Sequence, residues 1–308
     1  MPTPIITDGT MDRLAEAPRV VLPAVDLYAE RAARFSQLAA GHPMGDYLRL
    51  MALVSRAQAA ALPLRRAAAL GDELVARSRD FGMPPLAAQT HARAAQWRDD
   101  LATIASHVGA AAGAEVKAAL DRLVALDAAA LEGLADRVLL GTADDVDAAS
   151  VPFVGAALQV YFSRAAAALD PEVLAAADVP TICPACAMRP VASVVRIGGA
   201  RNGSRYLVCS LCGTEWHLAR IKCSACEEEK GVHYLALQAA EGPQSSAGAV
   251  RAEACDECKS YLKIVFQDRD PNVDPAADDL ATLGLDVLVD EQGFGRSGPN
   301  LLFHPGSG

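Results

Sequence analysis

The sequence lacks the features that would place the chain in a membrane, in an exported pool or on a nucleic acid. No stretch of about 20 uninterrupted apolar residues is present, so we expect no transmembrane helix. Residues 1–31 contain no basic segment followed by an apolar run and no twin-arginine pair, which predicts a cytoplasmic protein without an export signal. Lys and Arg number 28 against 38 Asp and Glu, a net charge of −10. That balance disfavours a surface built to bind phosphate backbones.

The motifs of several common catalytic sites are also missing. We find no Gly-x-Ser-x-Gly elbow, no P-loop and no His-Glu-x-x-His helix, so we predict that the protein is not an enzyme. Aromatic residues make up only 5% of the chain, whereas hydrophobic residues make up 52%. This composition is typical of packed helices rather than disorder. A chain of 308 residues is also long enough for more than one domain.

The first 182 residues contain no cysteine and have the pattern of successive amphipathic helices. We predict helices at about 25–40, 47–62, 64–80, 86–112, 115–138, 144–168 and 171–177. Proline-containing segments such as "FGMPP" and "DPEV" separate them, because proline cannot continue a helix. The sequence therefore predicts an all-α domain at residues 1–178.

After residue 179 the pattern changes to short β-like runs between turns. The predicted strands are "VASVVRI", "SRYLV", "EWHLARI", "VHYLALQ", "AVRAEA" and "SYLKIVF". We expect "EGPQSSAG" at 241–248 to be a mobile loop between two strands of one hairpin. Residues 271–308 predict a C-terminal tail with a short helix at about 275–283, followed by "LDVLVD" and a glycine-rich end that packs on the body.

Eight cysteines form four Cys-x-x-Cys pairs. The pairs are Cys183/Cys186, Cys209/Cys212, Cys223/Cys226 and Cys255/Cys258, separated by 22, 10 and 28 residues. Two residues between cysteines allow a tight turn, or knuckle, to aim both thiolates at one ion, and a second knuckle completes a tetrahedral four-sulfur shell. In a reducing compartment such pairs favour metal over disulfides. Four knuckles predict two metal sites.

Spacing favours pairing the knuckles in chain order. This choice gives one site from Cys183, Cys186, Cys209 and Cys212 and a second from Cys223, Cys226, Cys255 and Cys258. Each module then has room for two strands and a turn between its knuckles, close to the spacing of zinc ribbons and rubredoxin-type sites. Aligning "VCSLCGTEWHLARI" with "ACDECKSYLKIVF" indicates a tandem duplication, at residues 179–222 and 223–270. Joining the two middle knuckles is feasible but awkward in topology.

Other interpretations of these residues are weaker. Redox-active dithiols would need a helix after the first cysteine of each pair, and strands follow instead. His217 and His233 are expected to be strand residues rather than ligands, because eight cysteines already fill two sites. We expect Trp216 and Tyr261 to be core residues that cover the metals. A tetrathiolate shell suits zinc or a single iron ion, and spacing does not separate them.

Four segments together resemble the formate dehydrogenase accessory protein family (FdhE). They are "CPACAMRPVASVV", "CSLCGTEWHLARIKCSAC", "EACDECKSYLKIV" and "DRDPNVDPAADDLATLGLDVL", and the N-terminal "VVLPAVDLYAERAARFSQLAAGHPMGDYLRLMA" is also similar. One departure is Ala187, where glycine often follows the first knuckle. An alanine there costs little unless its φ is positive.

The resemblance implies a non-catalytic accessory protein needed for active respiratory formate dehydrogenase. It implies binding to the catalytic subunit in the cytoplasm before export, and iron in rubredoxin-like sites formed by the eight cysteines, with zinc as the alternative. A rubredoxin-like electron-transfer partner is the second hypothesis, and a zinc-ribbon nucleic-acid binder is a third that the acidic charge disfavours. A homo-oligomer is compatible with the sequence.

Overall fold

Helices form the first part of the chain and one β-sheet organises the second in the computed structural model, which describes residues 16–67, 72–144, 148–175, 179–237 and 248–304. This arrangement confirms the predicted α+β class. The helices before the sheet are α1 (Leu27–Leu38), α2 (Gly45–Ala61), α3 (Asp72–Phe81), α4 (Gln96–Ala111), α5 (Ala114–Val124), α6 (Ala128–Leu140), α7 (Val151–Ala167) and α8 (Pro171–Ala175). In these described ranges no helix is both long and apolar enough to cross a membrane.

Helix α7 is the central element of the helical body. Every residue from Val151 to Ala166 is buried, and a helix that is apolar around its whole circumference is expected to lie inside a core. Helices α2, α4 and α6 pack against it. Phe35, Leu48 and Trp97 belong to the same buried cluster, so the helices share one core with α7.

Two of the predicted helix ranges differ from the structure for identifiable reasons. The helix predicted at 86–112 begins only at Gln96, because the backbone N–H groups of Leu86 and Ala88 donate to carbonyls outside their own segment. The helix predicted at 115–138 is two helices. The side chain of Asp127 accepts from the N–H of Ala130 at 2.8 Å and begins a new helix there.

The strands form one eight-stranded sheet. They are β1 (Val20–Val21), β2 (Pro190–Val195), β3 (Arg205–Cys209), β4 (Glu215–His217), β5 (Val232–Leu235), β6 (Val250–Cys255), β7 (Ser260–Phe266) and β8 (Gly295–Arg296). Their order is β1-β4-β3-β2-β7-β6-β5, and β8 pairs with β7. Strands β4 and β5 are shorter than the predicted "EWHLARI" and "VHYLALQ". The predicted loop at 241–248 lies outside the described residues except for Gly248.

Two similar three-stranded units build this sheet. Strands β2, β3 and β4 form one antiparallel unit, and β5, β6 and β7 form the other. The units join through a parallel pairing of β2 with β7, in which Ser193 lies opposite Ile264 and Val195 opposite Phe266. The two knuckle modules are therefore continuous through backbone hydrogen bonds.

Opposite faces of the sheet contact different parts of the chain. Leu207 and Leu262 belong to the core of the helical body. A second buried cluster joins residues such as Val194 and Val265 to Leu285 in the C-terminal region. That region forms helices α9 (Pro275–Leu280) and α10 (Leu283–Glu291). The predicted helix at about 275–283 thus ends early, and "LDVLVD" lies in a second helix.

Buried ion pairs attach the C-terminal helices to both the sheet and the helical body. The ammonium of Lys263 on β7 lies 3.2 Å from Asp279, and neither side chain is exposed. Arg296 lies 2.7 Å from the same carboxylate. Arg34 on α1 pairs with Asp278 at 2.5 Å. The tail, the sheet and α1 are therefore fixed to one another by charged side chains that are mostly buried.

Candidate metal centres

The backbone closes the same way after each Cys-x-x-Cys pair. The residue that follows the second cysteine is in the left-handed region at all four knuckles: Ala187 (φ 62°), Gly213 (φ 73°), Glu227 (φ 64°) and Lys259 (φ 51°). At two of the knuckles this residue donates its N–H to the carbonyl of the first cysteine, over 2.8 Å from Ala187 and 3.1 Å from Glu227. The shared conformation supports four copies of one turn.

These turns direct backbone N–H groups at sulfur. The N–H groups of Leu211 and Cys212 each lie 3.4 Å from Sγ of Cys209, and the N–H of Ala225 lies 3.4 Å from Sγ of Cys223. Hydrogen bonds from N–H groups stabilise a thiolate relative to a thiol. The knuckles thus supply N–H donors to the sulfur atoms that would bind a metal as thiolates.

The structure brings the eight thiols into two groups of four. Each group takes its members from two knuckles in chain order, and its sulfur atoms lie within 4.8 Å of one another. The first group is Cys183, Cys186, Cys209 and Cys212, and the second is Cys223, Cys226, Cys255 and Cys258. The grouping of the two middle knuckles with each other, the alternative left open by spacing, does not occur.

Distances between the sulfur atoms fit tetrahedral coordination. With metal–sulfur bonds of about 2.3 Å, the edges of a regular tetrahedron are about 3.8 Å long. The Sγ–Sγ distances are 3.5 Å for Cys183–Cys212 and 3.3 Å for Cys186–Cys209. In the second group they are 3.7 Å for Cys223–Cys258 and 3.8 Å for Cys226–Cys255. Disulfide bonds would require about 2.05 Å, so the thiols are not bridged in pairs.

The helical body encloses the first group. The N–H groups of Leu86 and Ala88 each donate over 2.9 Å to carbonyls of its first knuckle, those of Ala185 and Cys186. On the other side, Gln159 of α7 donates to the carbonyl of Ser210 at 2.8 Å. All four cysteines of this group are buried as a result.

The second group is partly open to solvent. Cys223 and Cys255 are buried, whereas Cys226 and Cys258 are exposed. Its turns lie in the unit that includes the outer strand β5, which pairs only with β6 among the described strands. Two sites with the same sulfur geometry therefore differ in their access to water.

One thiol in each group is electrostatically distinct. Burial alone would raise the pKa of Cys212, but hydrogen bonds from the other three thiols and from Thr214 hold it well below the ordinary value. Burial also opposes ionisation of Cys258, yet hydrogen bonds from Ser260 and from neighbouring thiols lower its pKa to about 7. In both groups the lowered pKa belongs to the second cysteine of the second knuckle.

Thr214 and Ser260 are site residues that the sequence analysis missed. Their hydroxyl oxygens lie 3.1 Å from Sγ of Cys212 and 2.9 Å from Sγ of Cys258. A signal was present, because both residues follow the last cysteine of their repeat by two positions. The repeat alignment alone could have paired them.

Aromatic and histidine residues near the knuckles have separate roles. Trp216 is buried in the cluster that contains the first four cysteines, and its indole N–H donates to Pro180 at 2.8 Å. Tyr261 packs instead in the cluster that includes the C-terminal residues, and its hydroxyl donates to Asp286 at 2.7 Å. Neither His217 on β4 nor His233 on β5 belongs to a thiol group.

Fold and site together define a tandem four-cysteine ribbon protein carried on a helical body. Models of the N-terminal, central and C-terminal domains of FdhE match residues 17–178, 182–220 and 221–303. The chain belongs to the FdhE family.

Similar proteins support this assignment over nearly the whole length. An FdhE homolog from Pseudomonas aeruginosa is 42% identical over 304 residues, with 98% of each chain covered. The FdhE protein of Salmonella enteritidis is 36% identical over 290 residues, covering 92% of this chain and 90% of that protein. A crystal structure of the FdhE protein from Pseudomonas aeruginosa superposes with a TM-score of 0.84 at 42% identity, covering 94% of this chain and 100% of that one.

Proposed function

We propose that this chain is an accessory factor required to form active respiratory formate dehydrogenase, and that it binds the catalytic subunit in the cytoplasm before export. The observation that carries the proposal is the FdhE match through both the helical body and the two thiol groups. We also propose a division into domains at 1–178, 179–222 and 223–270, followed by the tail at 271–308. In this function the protein is a binding partner and not a catalyst.

We propose that each thiol group holds one metal ion, with Cys183, Cys186, Cys209 and Cys212 as ligands in the first site and Cys223, Cys226, Cys255 and Cys258 in the second. The sulfur distances support this assignment. Iron is favoured by the family resemblance, and zinc is the alternative. Four thiolates leave no open position on the ion, so a bound metal supplies rigidity or one-electron chemistry and no hydrolysis.

The metal sites contribute rigidity to the surface that binds the catalytic subunit. The parallel pairing of β2 with β7 fixes the two sites on one sheet, and α7 fixes the first site to the helical body. A partner that touches both the helices and the second ribbon therefore meets a surface whose shape does not depend on binding. Preformed surfaces of this kind lose little conformational entropy on association.

A deletion strain tests the accessory role. We expect the strain to accumulate formate dehydrogenase subunits without respiratory formate oxidation, and the wild-type chain to restore it. The control variant Arg122→Gln, at an exposed position on α5, should restore formate oxidation equally. Full formate oxidation in the deletion strain would contradict the proposal. Failure of the affinity-tagged chain to recover the catalytic subunit from wild-type cells would contradict its binding step.

Exposure of Cys226 and Cys258 favours a second candidate, a rubredoxin-like electron-transfer partner. A metal reached from solvent through two ligands offers a docked protein a shorter path for electrons than the enclosed first site does. The proteins loaded with iron and with zinc separate the candidates, since zinc does not change its oxidation state. Electron transfer requires that only iron-loaded protein complements the deletion strain. Equal complementation by a zinc-loaded protein rules it out.

A further inference from the structure

A basic pocket opens where the two ribbon units meet. Its walls include Arg220 from the link between the units, Arg251 from β6, Arg269 after β7, and the rings of Phe266 and Tyr234. We call these five residues the arginine pocket. Its cavity measures about 380 Å³, within the range of small-molecule sites. The thiol groups do not contribute to its lining.

Three guanidinium groups surround a single aromatic ring in this pocket. Their central carbons lie 5.9 Å (Arg220), 5.3 Å (Arg251) and 5.3 Å (Arg269) from the centre of the Phe266 ring. The ring is buried at the base of the cluster, whereas Arg220 and Arg269 are exposed and Arg251 is half-buried. Cation–π attraction holds each guanidinium near the ring. One ring therefore orients three donors toward the same cavity.

Neighbouring carboxylates are already engaged by other arginines. Glu215 pairs with Arg196, which also lines the cavity, over 3.1 Å. Glu253 accepts from the buried Arg205 through both oxygens at 2.6 Å. These two ion pairs leave the charge of the arginine pocket unchanged.

The arginines of the pocket differ from Arg196 and Arg205 in their ion pairing. Within the described ranges, no carboxylate forms an ion pair with Arg220, Arg251 or Arg269. The guanidinium of Arg269 donates to the carbonyl of Gly248 at 2.5 Å, which leaves its charge in place. One exposed carboxylate, that of Asp268, lines the cavity. Three positive charges against one negative charge leave an excess of two, in a chain whose net charge is −10.

We propose that the arginine pocket is a binding site for a small anion that carries phosphate or carboxylate groups. Guanidinium forks bind both groups bidentately, and they are the donors that suit planar or tetrahedral oxyanions. Two negative charges on the ligand would balance the excess. Because residues from both ribbon units line the cavity, bound anion would also strengthen the junction between the units.

Calorimetric titration of the full-length, metal-loaded protein tests this site with pyrophosphate and with citrate as probes. We expect saturable binding of one equivalent, weakened about tenfold in Arg251→Gln, because charge-assisted hydrogen bonds are lost. Arg220→Gln, at an exposed position, should weaken binding in the same direction, and Arg122→Gln on α5 should leave it unchanged. Metal content and thermal unfolding of each variant show whether it is folded.

The probes also distinguish the sources of the anion. Tighter pyrophosphate binding assigns the pocket to phosphate ligands, and tighter citrate binding assigns it to carboxylates. No saturable binding of either probe overturns the proposal. It is also overturned if Arg122→Gln weakens binding as much as the pocket variants do. Binding that appears only with an aspartate-rich peptide or a single-stranded oligonucleotide overturns the small-anion assignment as well.

Discussion

Ala187 adopts a backbone conformation that its residue type does not predict. Its φ of 62° is one that alanine rarely takes, and the same is true of Glu227 and Lys259 at the later knuckles. At the second knuckle, Gly213 has the preferred residue type. There a side chain would also meet Leu27, since an added Cβ would lie 2.7 Å from its Cδ2. The turn that closes each knuckle therefore requires a positive φ even where the residue type disfavours it.

Replacing Ala187 with glycine should stabilise the chain. The left-handed conformation costs a non-glycine residue about 1–2 kcal/mol, and added freedom in the unfolded chain offsets part of the gain. We expect a net increase of about 0.5–1 kcal/mol in the free energy of unfolding. Urea unfolding at fixed metal content measures it. Gly213→Ala is the reciprocal control and should destabilise, whereas equal stability of both variants and wild type would contradict this account.

Asp279 is the residue on which the buried charges of the tail converge. Burial would raise its pKa, but Arg296 and Lys263 hold the pKa below its ordinary value. Asp279→Asn would remove the fully buried carboxylate from a cluster in which Lys263 and Arg296 also pair with Asp286. Breaking a buried ion pair costs up to about 3 kcal/mol. Urea unfolding at neutral pH should show that loss. Asp46→Asn, which alters an exposed pair with Arg49, is the control and should have no measurable effect.

The same substitution should change the response to acid. Since the pKa of Asp279 is lower in the folded chain than in the unfolded chain, its contribution is complete above the unfolded value. It is lost as the pH falls through the folded value. Wild type should therefore lose stability as the pH falls below about 4, and Asp279→Asn should lose less over the same range. Parallel acid profiles for the two proteins would disprove this role.

Helix α7 shows how a single glycine admits a neighbouring segment. Gly155 lies in the middle of this buried helix, and an added Cβ would collide with the backbone carbonyl of Leu301. The C-terminal segment thus crosses α7 at a point where only hydrogen fits. Gly133 on α6 has no such neighbour, because its added Cβ would meet only the end of Arg137 at 3.7 Å.

These two glycines make a matched pair for testing the contact. Gly155→Ala should displace the C-terminal segment and lower the midpoint of thermal unfolding. Gly133→Ala should stabilise its helix by about 1 kcal/mol, since alanine is the better helix former. Limited proteolysis should cut Gly155→Ala, but not Gly133→Ala, between residues 292 and 304. Equal resistance of both variants would show that the close approach is unimportant.

Hydrophobic periodicity predicted helices and strands well where contacts between residues near in sequence determine the structure. Strand β7 follows the predicted "SYLKIVF" over all seven residues, and α1 lies inside its predicted range. Helix α2 begins two residues before its predicted start at 47. Prediction failed at 86–95, where the periodicity is helical but Leu86 and Ala88 donate to a knuckle almost 100 residues away. A partner so distant in sequence leaves no periodic signal. The same limitation hid the parallel pairing of β2 with β7.

Unequal enclosure of the two thiol groups should appear as unequal metal release. Cys226 and Cys258 are exposed, whereas all ligands of the first group are buried beneath the helical body. A chelator added to the metal-loaded protein should therefore remove one equivalent quickly and the other slowly, as followed by absorbance. The double variant Cys255→Ser and Cys258→Ser should lack the fast phase and retain the slow one. A single phase of two equivalents in wild type would contradict the difference in access.

At the scale of the whole molecule, spacing predicted which cysteines would group but not how exposed each group would be. Which four cysteines form each group depends on the order of the knuckles, and that order can be read from the sequence. Exposure depends on α7 and on residues 86–88, which contact only the first group. The arginine pocket was invisible for the same reason, because Arg220, Arg251 and Arg269 meet only after both ribbon units have folded.

The ribbon units are joined head to tail, and this kind of junction can be repeated by further units. The first strand of one unit, β2, pairs with the third strand of the other, β7, so a further copy of either unit could extend the array by the same rule. At one end the short strand β1 occupies the outer side of β4, with Val20 opposite Trp216. The N-terminal segment therefore covers the β4 edge of the array. Without it, the exposed backbone of β4 would offer the chain a route to assembly through its edges.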